Sequence, residues 1–411
     1  MSPTLVSSNV ATFHRSDGEE IVFENGAAGC VTDTAGRTYV DFVLGFGPVV
    51  IGHGSPAFVD KLTSHISKAV HLPGYARSHL SFVRDYLSGR DVAHCALFKH
   101  SSDSVTAAIR LAAVQTKRMG VIRCGYIGWH DVQIARSPRW HEPLASPLRA
   151  EIRYTGQFRG VSGRERVFDW LDLELSSMQE ELVAHPNAYS CIVIDAFQYH
   201  LAEEGQIEKA VALCRQHGLL VILDETKTSG RVGPMGAFAE HEIRGDFVVL
   251  GKAIANGAPL SMLVSSAAVD SAFVDARIGG TFCKELLSVY AAQVTLDLMR
   301  RGDGYASLRR IGRRVVDAFN TAIAAADCTE LATARAVFGG SLFELELGPG
   351  LIGDEAGRRA LRNFCADEGV LLLVGHPSFV CLDHQQLDLD ALSDSLTRAF
   401  RRWFDIWRRA R

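Results

Sequence analysis

The sequence predicts an α/β protein with a large domain, built on a mostly parallel central sheet flanked by helices, and a smaller α+β domain. In the middle of the chain, short apolar runs alternate with helical segments. These runs are continuously apolar, as in strands that are buried on both faces. After about residue 300, long helices surround the strand-rich stretch "ARAVFGGSLFELEL", which predicts the smaller domain.

We predict three parts within the 411 residues. Residues 1–54 form an N-terminal segment that contributes to the small domain, residues 55–305 form the large domain, and residues 306–411 form the C-terminal small domain. The N-terminal part contains a predicted hairpin. One strand runs through Val31, a turn follows at "DTAG", and a second strand spans Tyr39 to Val43.

The predicted strands of the central sheet are, in chain order, "CALF", "GVIRCG", "SCIVIDAF", "LLVILDE" and "DFVVLGK". Helical stretches lie between them, such as "SVTAAIRLAAVQTKRM" and "QIEKAVALCRQHG", the second ending at Gly218 as helices commonly do. Further on we expect one long helix, "RRGDGYASLRRIGRRVVDAFNTAIAAA", and two more helices after the strands. The basic C-terminus, "RRWFDIWRRAR", is predicted as an amphipathic helix.

Composition excludes several classes of function. A hydrophobic fraction of 47% without an apolar stretch of about 18 to 20 residues predicts no membrane association. A formal net charge of −4 argues against nucleic-acid binding. The nine cysteines form no CxxC pair, which predicts neither a metal site nor a disulfide framework. The N-terminus lacks the features of a secretory signal, so we expect a cytoplasmic protein.

The stretch "LLVILDETKTSGR" ends an apolar run in Asp224 and Glu225, which two chemistries use. An ATPase would place Mg²⁺ and water there, but it needs an upstream GxxxxGK motif followed by Ser or Thr to hold the phosphates. That motif is missing. The one Gly-Lys pair, at Lys252, follows an apolar strand and precedes Ala253.

The second chemistry uses Lys252 itself. This lysine ends the apolar strand that follows the Asp224 strand, and parallel strands bring their C-terminal ends to one edge of a sheet. A lysine there can form a Schiff base with an aldehyde cofactor, and a carboxylate can keep a pyridine nitrogen protonated. Taken singly, Asp224 as a helix cap and Lys252 as a surface residue explain the sequence equally well.

Two further stretches add to this prediction. In "FKHSSDSVTAAIRLA" a strand leads into a helix whose first-turn amides, with the hydroxyls of Ser101 and Ser102, can receive a phosphate. A plain helix cap is the alternative. In "GYIGWHD" the residue Tyr126 offers a flat face for an aromatic ring, and an ordinary packed aromatic is the alternative.

Four stretches that occur in family order carry a resemblance: "DTAGRTYVDFVLGFGPVVIGHGSP", "HSSDSVTAAIRLA", "LDETKTSGR" and "GKAIANGAPLSMLVS". From about residue 20 to about residue 400, the chain resembles the class III pyridoxal-phosphate (PLP) aminotransferases of fold type I. The similarity is to the branch that contains glutamate-1-semialdehyde aminomutase and amino-sugar aminotransferases.

The resemblance implies PLP as cofactor and a role for each matching residue. Lys252 is expected to be the Schiff-base lysine and proton shuttle, and Asp224 the partner of the pyridine nitrogen. Ser101 and Ser102 match the Gly-Thr pair that grips the phosphate.

The remaining matches concern the ring and the subunit interface. Tyr126 matches the ring-stacking aromatic, and Thr226 matches a valine on the opposite ring face. Thr281, in "GGTFCKELLS", matches a threonine that reaches the phosphate held by the other subunit. A homodimer with shared active sites is therefore implied.

Several positions depart from the family pattern. Asp103 replaces a glutamate of the phosphate turn, Ile127 replaces a histidine near the ring, and Asp195 replaces the glutamate of a Glu-Pro pair. Thr226 in place of valine predicts a more polar pocket beside the ring. Glu285 stands where many members have asparagine and resembles the sugar-directed members.

The predicted reaction is transfer of an amino group from a small-molecule donor such as glutamate to a carbonyl acceptor. We expect that acceptor to be an amino-sugar or aminoglycoside aldehyde or ketone in a biosynthetic pathway. Polar residues after the strands are the candidate substrate ligands, namely Trp129, His130, Asp195, Gln198, Tyr199 and Glu285. Such residues suit a cationic polyol, although loops are polar by default. The segment "LLLVGHPSFVCLDH" lacks the carboxylate-binding arginine of some relatives.

Two alternatives remain open. The same residues can catalyse an aminomutase, epimerisation or elimination reaction, because the cofactor chemistry is encoded more clearly than its outcome. The altered phosphate turn also suits a homologue that has lost the cofactor and serves as a catalytically inactive partner. The presence of both Lys252 and Asp224 argues against this second alternative.

Overall fold

The structure is a computed structural model that describes residues 12–130, 133, 166–170, 172–266, 276–348 and 355–410, with side chains up to residue 406. Its strands are β1 (Phe13–His14), β2 (Glu20–Ile21), β3 (Phe23–Ala27), β4 (Cys30–Asp33), β5 (Thr38–Asp41), β6 (His94–Phe98), β7 (Gly120–Cys124), β8 (Val167–Asp169), β9 (Tyr189–Asp195), β10 (Leu220–Asp224), β11 (Phe247–Leu250), β12 (Ser261–Ser265), β13 (Ala332–Val337), β14 (Leu342–Leu347), β15 (Val370–Leu371) and β16 (Ser378–Phe379).

The α-helices within the described ranges are α1 (Pro56–Ile66), α2 (Arg77–Tyr86), α3 (Ser101–Thr116), α4 (Leu175–Ala184), α5 (Phe197–Leu201), α6 (Gln206–Gln216), α7 (Ala237–Glu240), α8 (Leu287–Arg301), α9 (Gly304–Ala325), α10 (Glu355–Asp367) and α11 (Leu389–Ala410). The first residues of the N-terminus and the last side chains of the basic C-terminal cluster lie outside the described residues.

The chain divides into two compact units. One contains residues 1–46, 51–55 and 306–411, and the other contains residues 47–50 and 56–305. In the first unit, a sheet in the order β15-β5-β4-β3 and a sheet in the order β13-β14-β16 accompany helices α9, α10 and α11. The predicted hairpin is present as β4 and β5.

The second unit is built on a seven-stranded sheet in the order β6-β12-β11-β10-β9-β7-β8. Strands β7 to β11 pair in parallel, whereas β12 runs antiparallel to both β11 and β6. The predicted mostly parallel sheet is therefore confirmed. The sequence analysis did not identify β12.

Helices cover both faces of this sheet, and the alternation of strand residues determines what each face contacts. In β11, Phe247 and Val249 belong to the cluster that packs on α3, whereas Leu250 belongs to the cluster that contains α2 and α8 residues. Val193 in β9 and Ile222 in β10 also belong to the α3 cluster. The residues two positions later in these strands therefore point toward the same side as α3.

The long helix predicted after about residue 300 is wrong at its start. Arg300 and Arg301 end α8, and a separate helix begins at Gly304. Asp303 has a φ of 48°, in the left-handed region that interrupts a right-handed helix. The break separates α8, which belongs to the second unit, from α9, nearly all of which belongs to the first.

Three further features of the described residues bear on function. None of the nine cysteines, all of which lie within the described ranges, forms a disulfide bond. No group of three or more His, Cys, Asp or Glu side chains within the described ranges is arranged to hold a metal ion. Among the helices described above, none is both long and apolar enough to cross a membrane.

Candidate active site

Three strand ends and the residues after them build the candidate site. Asp224, the last residue of β10, lies directly opposite Asp195, the last residue of β9, and opposite Val249 of β11. Lys252 follows β11 after one glycine and begins a short 3-10 helix, with a φ of 48°. The parallel register thus brings the two carboxylates to the edge of the sheet at which Asp224 and Lys252 were predicted to lie.

Asp224 is buried, and its carboxylate is bound by its own turn. The Oδ1 atom accepts hydrogen bonds from the Thr226 backbone N–H at 3.0 Å and from the Thr226 hydroxyl at 2.5 Å. Burial, and then the charge of Asp195, raise the pKa of Asp224 to about 6. Among the residues that the structure describes, none donates to Oδ2. A cationic N–H group would bind this second oxygen favourably, since it stabilises the ionised carboxylate.

The pKa of the Lys252 amine is lowered, whereas that of Asp224 is raised. Burial lowers the pKa of Lys252 to about 7, and the nearby positive charges of Lys227 and Arg231 lower it further, whereas Asp195 and Asp224 raise it. A large fraction of the amine is therefore neutral near pH 7. Neutral amines are nucleophilic toward an aldehyde, so Lys252 has the property that covalent attachment of an aldehyde cofactor requires.

The beginning of α3 offers a phosphate-binding turn. The N–H groups of Asp103 and Ser104 bond to the His100 carbonyl, so the N–H groups of Ser101 and Ser102 stand at the open end of the helix. A Cβ atom at Gly251 would lie only 2.2 Å from the Ser101 hydroxyl oxygen. The glycine before Lys252 therefore lets this turn approach the end of β11.

Tyr126 follows β7 in a turn that only glycine permits. Gly125 has a φ of 88°, and a Cβ atom there would lie 2.8 Å from the Asp195 Cβ atom. The Tyr126 side chain is 38% exposed although its neighbours are buried. Its ring is therefore accessible to a flat ligand, as the ring-stacking prediction requires.

Thr226 differs from its predicted effect on the pocket. We expected its hydroxyl to make the pocket more polar beside the ring, but the hydroxyl donates to Asp224. Its methyl carbon is the atom near β11, 3.6 Å from the position of a Cβ at Gly251. The change from valine therefore adds a hydrogen bond to the carboxylate and keeps an apolar group.

The structure brings some of the predicted substrate residues to the site and directs others elsewhere. Gln198 is buried, with its amide nitrogen 2.9 Å from the position of a Cβ at Gly125. Tyr199 stacks on His241 with ring centroids 4.2 Å apart, and its hydroxyl bonds to Glu208 at 3.3 Å. These contacts occupy the Tyr199 ring and its hydroxyl.

The candidates after Tyr126 form a small cluster at the start of α3. Trp129 is 68% exposed, and its ring contacts His130 edge to face. The His130 Nδ1 atom lies 2.8 Å from the Thr106 hydroxyl, to which Gln133 also donates at 2.7 Å. Trp129 thus presents a free aromatic face, whereas His130 packs on the helix that begins at Ser101.

Glu285 and Thr281 lie before α8. The Glu285 carboxylate forms an ion pair with Lys99 and accepts the Leu287 N–H at 2.8 Å. The negative charge of Glu285 is therefore already neutralised by Lys99, and its carboxylate caps the start of α8. Both contacts weaken the prediction that Glu285 binds a cationic substrate. The Thr281 residue is exposed, and its carbonyl accepts a hydrogen bond from His71 at 3.1 Å.

Sequence reasoning missed three buried residues of the site. Lys227 forms an ion pair with Asp195 at 2.5 Å. Arg231 donates to the carbonyls of Gly47 and Val49, both at 2.9 Å, and so fixes the short segment of residues 47–50. Gln133 donates to the Ser102 carbonyl at 2.6 Å. The signal for the first two was present, because they follow Asp224 within the same "DETKTSGR" stretch.

Comparison with known proteins identifies the class. A model of the class III aminotransferase family matches residues 12–383, and the chain belongs to this family. The resemblance stated from the sequence motifs is therefore confirmed, and the protein is an enzyme of the aminotransferase class that uses PLP.

The chain is similar to individual members of the family and to solved structures. The chain is 29% identical, over 317 residues, to the 2'-deamino-2'-hydroxyneamine transaminase of Streptomyces kanamyceticus, covering 75% of each protein. It is 25% identical over 344 residues to the glutamate-1-semialdehyde 2,1-aminomutase of Anaeromyxobacter sp. strain Fw109-5, covering 79% of this chain and 76% of the relative. A solved transaminase with PLP bound superposes with a TM-score of 0.81 at 20% identity, covering 98% and 95% of the two chains. This likeness confirms the predicted fold type I.

The residues present fit PLP. The open acceptor Oδ2 of Asp224 suits a protonated pyridine nitrogen, the start of α3 suits a phosphate, and the amine of Lys252 suits an aldehyde. When bound, PLP withdraws electrons from the substrate carbon that loses a proton. With PLP in this position, Asp224 would stabilise a positive charge on the ring nitrogen, and Lys252 would be placed to take and return the proton at that carbon.

The pKa of Lys252 predicts the pH dependence of cofactor attachment. Apo-protein mixed with PLP should gain visible absorbance at a rate that rises with pH and levels off above a midpoint at about 7, because only the neutral amine attacks the aldehyde. Stopped-flow absorbance across pH 5 to about 10 measures this. A rate that is still climbing beyond pH 9 would show an ordinary lysine, and the variant Lys252→Ala should gain no covalent absorbance at any pH.

Proposed function

We propose that this enzyme transfers an amino group from a small-molecule donor, such as glutamate, to the carbonyl carbon of an amino-sugar or aminoglycoside acceptor. The similarity to the neamine-type transaminase carries this proposal, because that relative is named for an aminoglycoside and covers three quarters of this chain.

Two features of the chain support a sugar as acceptor. Trp129, 68% exposed and three residues after Tyr126, offers the flat apolar face on which sugar rings commonly pack. The segment from Leu371 to His384 contains no arginine to bind the carboxylate of an amino-acid substrate. Asp195 and Glu285 each form an ion pair with a lysine, Lys227 and Lys99 respectively. We therefore assign neither carboxylate to binding a cationic group of the acceptor.

A panel of acceptors tests the proposal. Holoenzyme with glutamate should convert an aldehyde made from an aminoglycoside alcohol in preference to pyruvate and to glutamate-1-semialdehyde, as measured by release of 2-oxoglutarate. Trp129→Ala should lower kcat/KM for the sugar aldehyde by about three- to tenfold, the effect of one lost aromatic contact, and leave that for pyruvate unchanged. Trp129→Phe, which keeps an aromatic face, should retain most of the activity.

The competing reaction is that of an aminomutase, which the similarity to the glutamate-1-semialdehyde aminomutase favours. An aminomutase moves the amino group within one molecule and needs no external donor. Turnover of glutamate-1-semialdehyde without glutamate, together with failure on every sugar aldehyde, would replace the proposed function by this one.

We also propose that the enzyme works as a homodimer with shared active sites. Thr281 is exposed, and so is the large apolar side chain of the next residue, Phe282. His71 donates to the Thr281 carbonyl and contacts the Phe282 ring, and its segment also carries exposed apolar side chains, namely Val70, Leu72 and Tyr75. Exposed large apolar side chains on neighbouring segments support a subunit interface at this position.

Complementation between variants tests the shared site. In a mixed dimer of Lys252→Ala and Thr281→Ala chains, one site combines the intact lysine of one chain with the intact threonine of the other. Each variant alone should be impaired, and refolding the two together should restore up to about half of the wild-type activity per dimer, because one of two sites is whole. Absence of recovery in mixed dimers isolated with two affinity tags would contradict the proposal.

A further inference from the structure

A buried lysine, Lys227, lies near Lys252. The Lys227 residue is only 5% exposed. Its ammonium donates to the Asp195 carboxylate at 2.5 Å and to the Tyr126 carbonyl at 3.3 Å, and it lies 5.3 Å from the centre of the Tyr126 ring. One side chain therefore contacts both the carboxylate that ends β9 and the aromatic residue that follows β7. Lys227 itself belongs to the turn after β10.

The surrounding backbone leaves little room for these groups to move. At Gly125, between β7 and Tyr126, an added Cβ atom would lie 2.8 Å from side-chain atoms of both Asp195 and Gln198. The end of β9 is therefore packed directly against the turn that carries Tyr126. Within this packing, the Lys227 ammonium fills the position between the carboxylate and the ring, where a cation is stabilised by both.

Lys227 also contributes to the charge around Lys252. The ionised groups that most influence the pKa of the Lys252 amine are Lys227, Asp195, Asp224 and Arg231. Arg231 is held by the carbonyls of Gly47 and Val49. Lys227 instead neutralises Asp195, which otherwise would stand next to Asp224 as a second buried carboxylate.

We propose that Lys227 is a positioning residue of the aminotransferase site: its ammonium holds Asp195 and the Tyr126 ring in place and supplies a fixed positive charge beside Lys252. This inference rests on the PLP-dependent class activity and is independent of the choice of acceptor. Loss of the Lys227 ammonium should change two properties. PLP binding should change because Tyr126 is less well held, and the protonation of Lys252 should change because a nearby positive charge is lost.

Removing the positive charge of Lys227 should raise the pKa of Lys252. Without the Lys227 ammonium, Lys252 loses a repelling cation and gains the uncompensated Asp195 anion, so Lys252 keeps its proton to a higher pH. The acid limb of the pH profile of the donor half-reaction should then move upward. The Tyr126 ring also loses the cation that contacts it, so PLP should dissociate more readily.

The experiment compares Lys227→Met with Lys227→Arg and with the double variant Asp195→Asn/Lys227→Met. The half-reaction with an amino donor is followed by the visible absorbance of the enzyme-bound cofactor, which requires no carbonyl acceptor. Lys227→Met should raise the acid-limb midpoint of kcat/KM by about one unit and weaken PLP binding by about tenfold. Lys227→Arg should keep the wild-type midpoint. The double variant, which removes both charges, should move it less than Lys227→Met.

Lys61→Met is the matched control, because Lys61 also forms an ion pair with an aspartate, Asp297, but between α1 and α8. It should leave the midpoint and PLP affinity unchanged. A wild-type profile and wild-type PLP affinity in Lys227→Met would overturn the proposal, as would equal shifts in Lys227→Met and Lys227→Arg. If Lys227→Met does not fold, the PLP affinities of Lys227→Arg and the double variant decide: the double variant should bind PLP more weakly, because its Tyr126 ring has lost the neighbouring cation, and equal affinities overturn the proposal. Failure on sugar acceptors would affect none of these readouts.

Discussion

The site depends on the parallel register of β9, β10 and β11. Because β9 and β10 end at the same level, Asp195 and Asp224 are direct neighbours, and the short connection after β11 places Lys252 at the same edge. Alternation along the strands turns both carboxylates toward the side covered by α3. A shift of one residue in either strand pair would turn one carboxylate to the opposite face and separate it from the phosphate-binding turn.

This register places two buried carboxylates, Asp195 and Asp224, side by side, and a buried lysine compensates part of their negative charge. Burial, and then repulsion by the adjacent buried carboxylate of Asp195, raise the pKa of Asp224 to about 6. Lys227 neutralises Asp195, which leaves Asp224 to bind a cationic ring nitrogen. Burial, and then the positive charge of Lys227, lower the pKa of Lys252 and so favour its neutral form, which is the nucleophile. In the proposed mechanism, cofactor attachment and proton transfer therefore depend on the same group of charges.

Much of the fold could be predicted from the sequence, because continuous apolar runs followed by polar residues indicate buried parallel strands. Asp224 and Lys252 were found in this way. The sequence could not give the partners of these residues. Thr226 in place of valine suggested a polar pocket, whereas its hydroxyl bonds back to Asp224. Glu285 suggested a substrate ligand, whereas Lys99 and the start of α8 occupy it. Such outcomes depend on side-chain directions and on residues distant in sequence.

We propose that the cofactor is carried by Lys252, which follows β11, and not by Lys227, which is buried at the same edge of the sheet. Borohydride reduction of the holoenzyme fixes PLP permanently to the amine that holds it, and peptide mass spectrometry then locates the modified lysine. We expect the peptide containing Lys252 to be modified and Lys227 to remain unmodified. Modification of Lys227, or of neither lysine, would contradict this proposal.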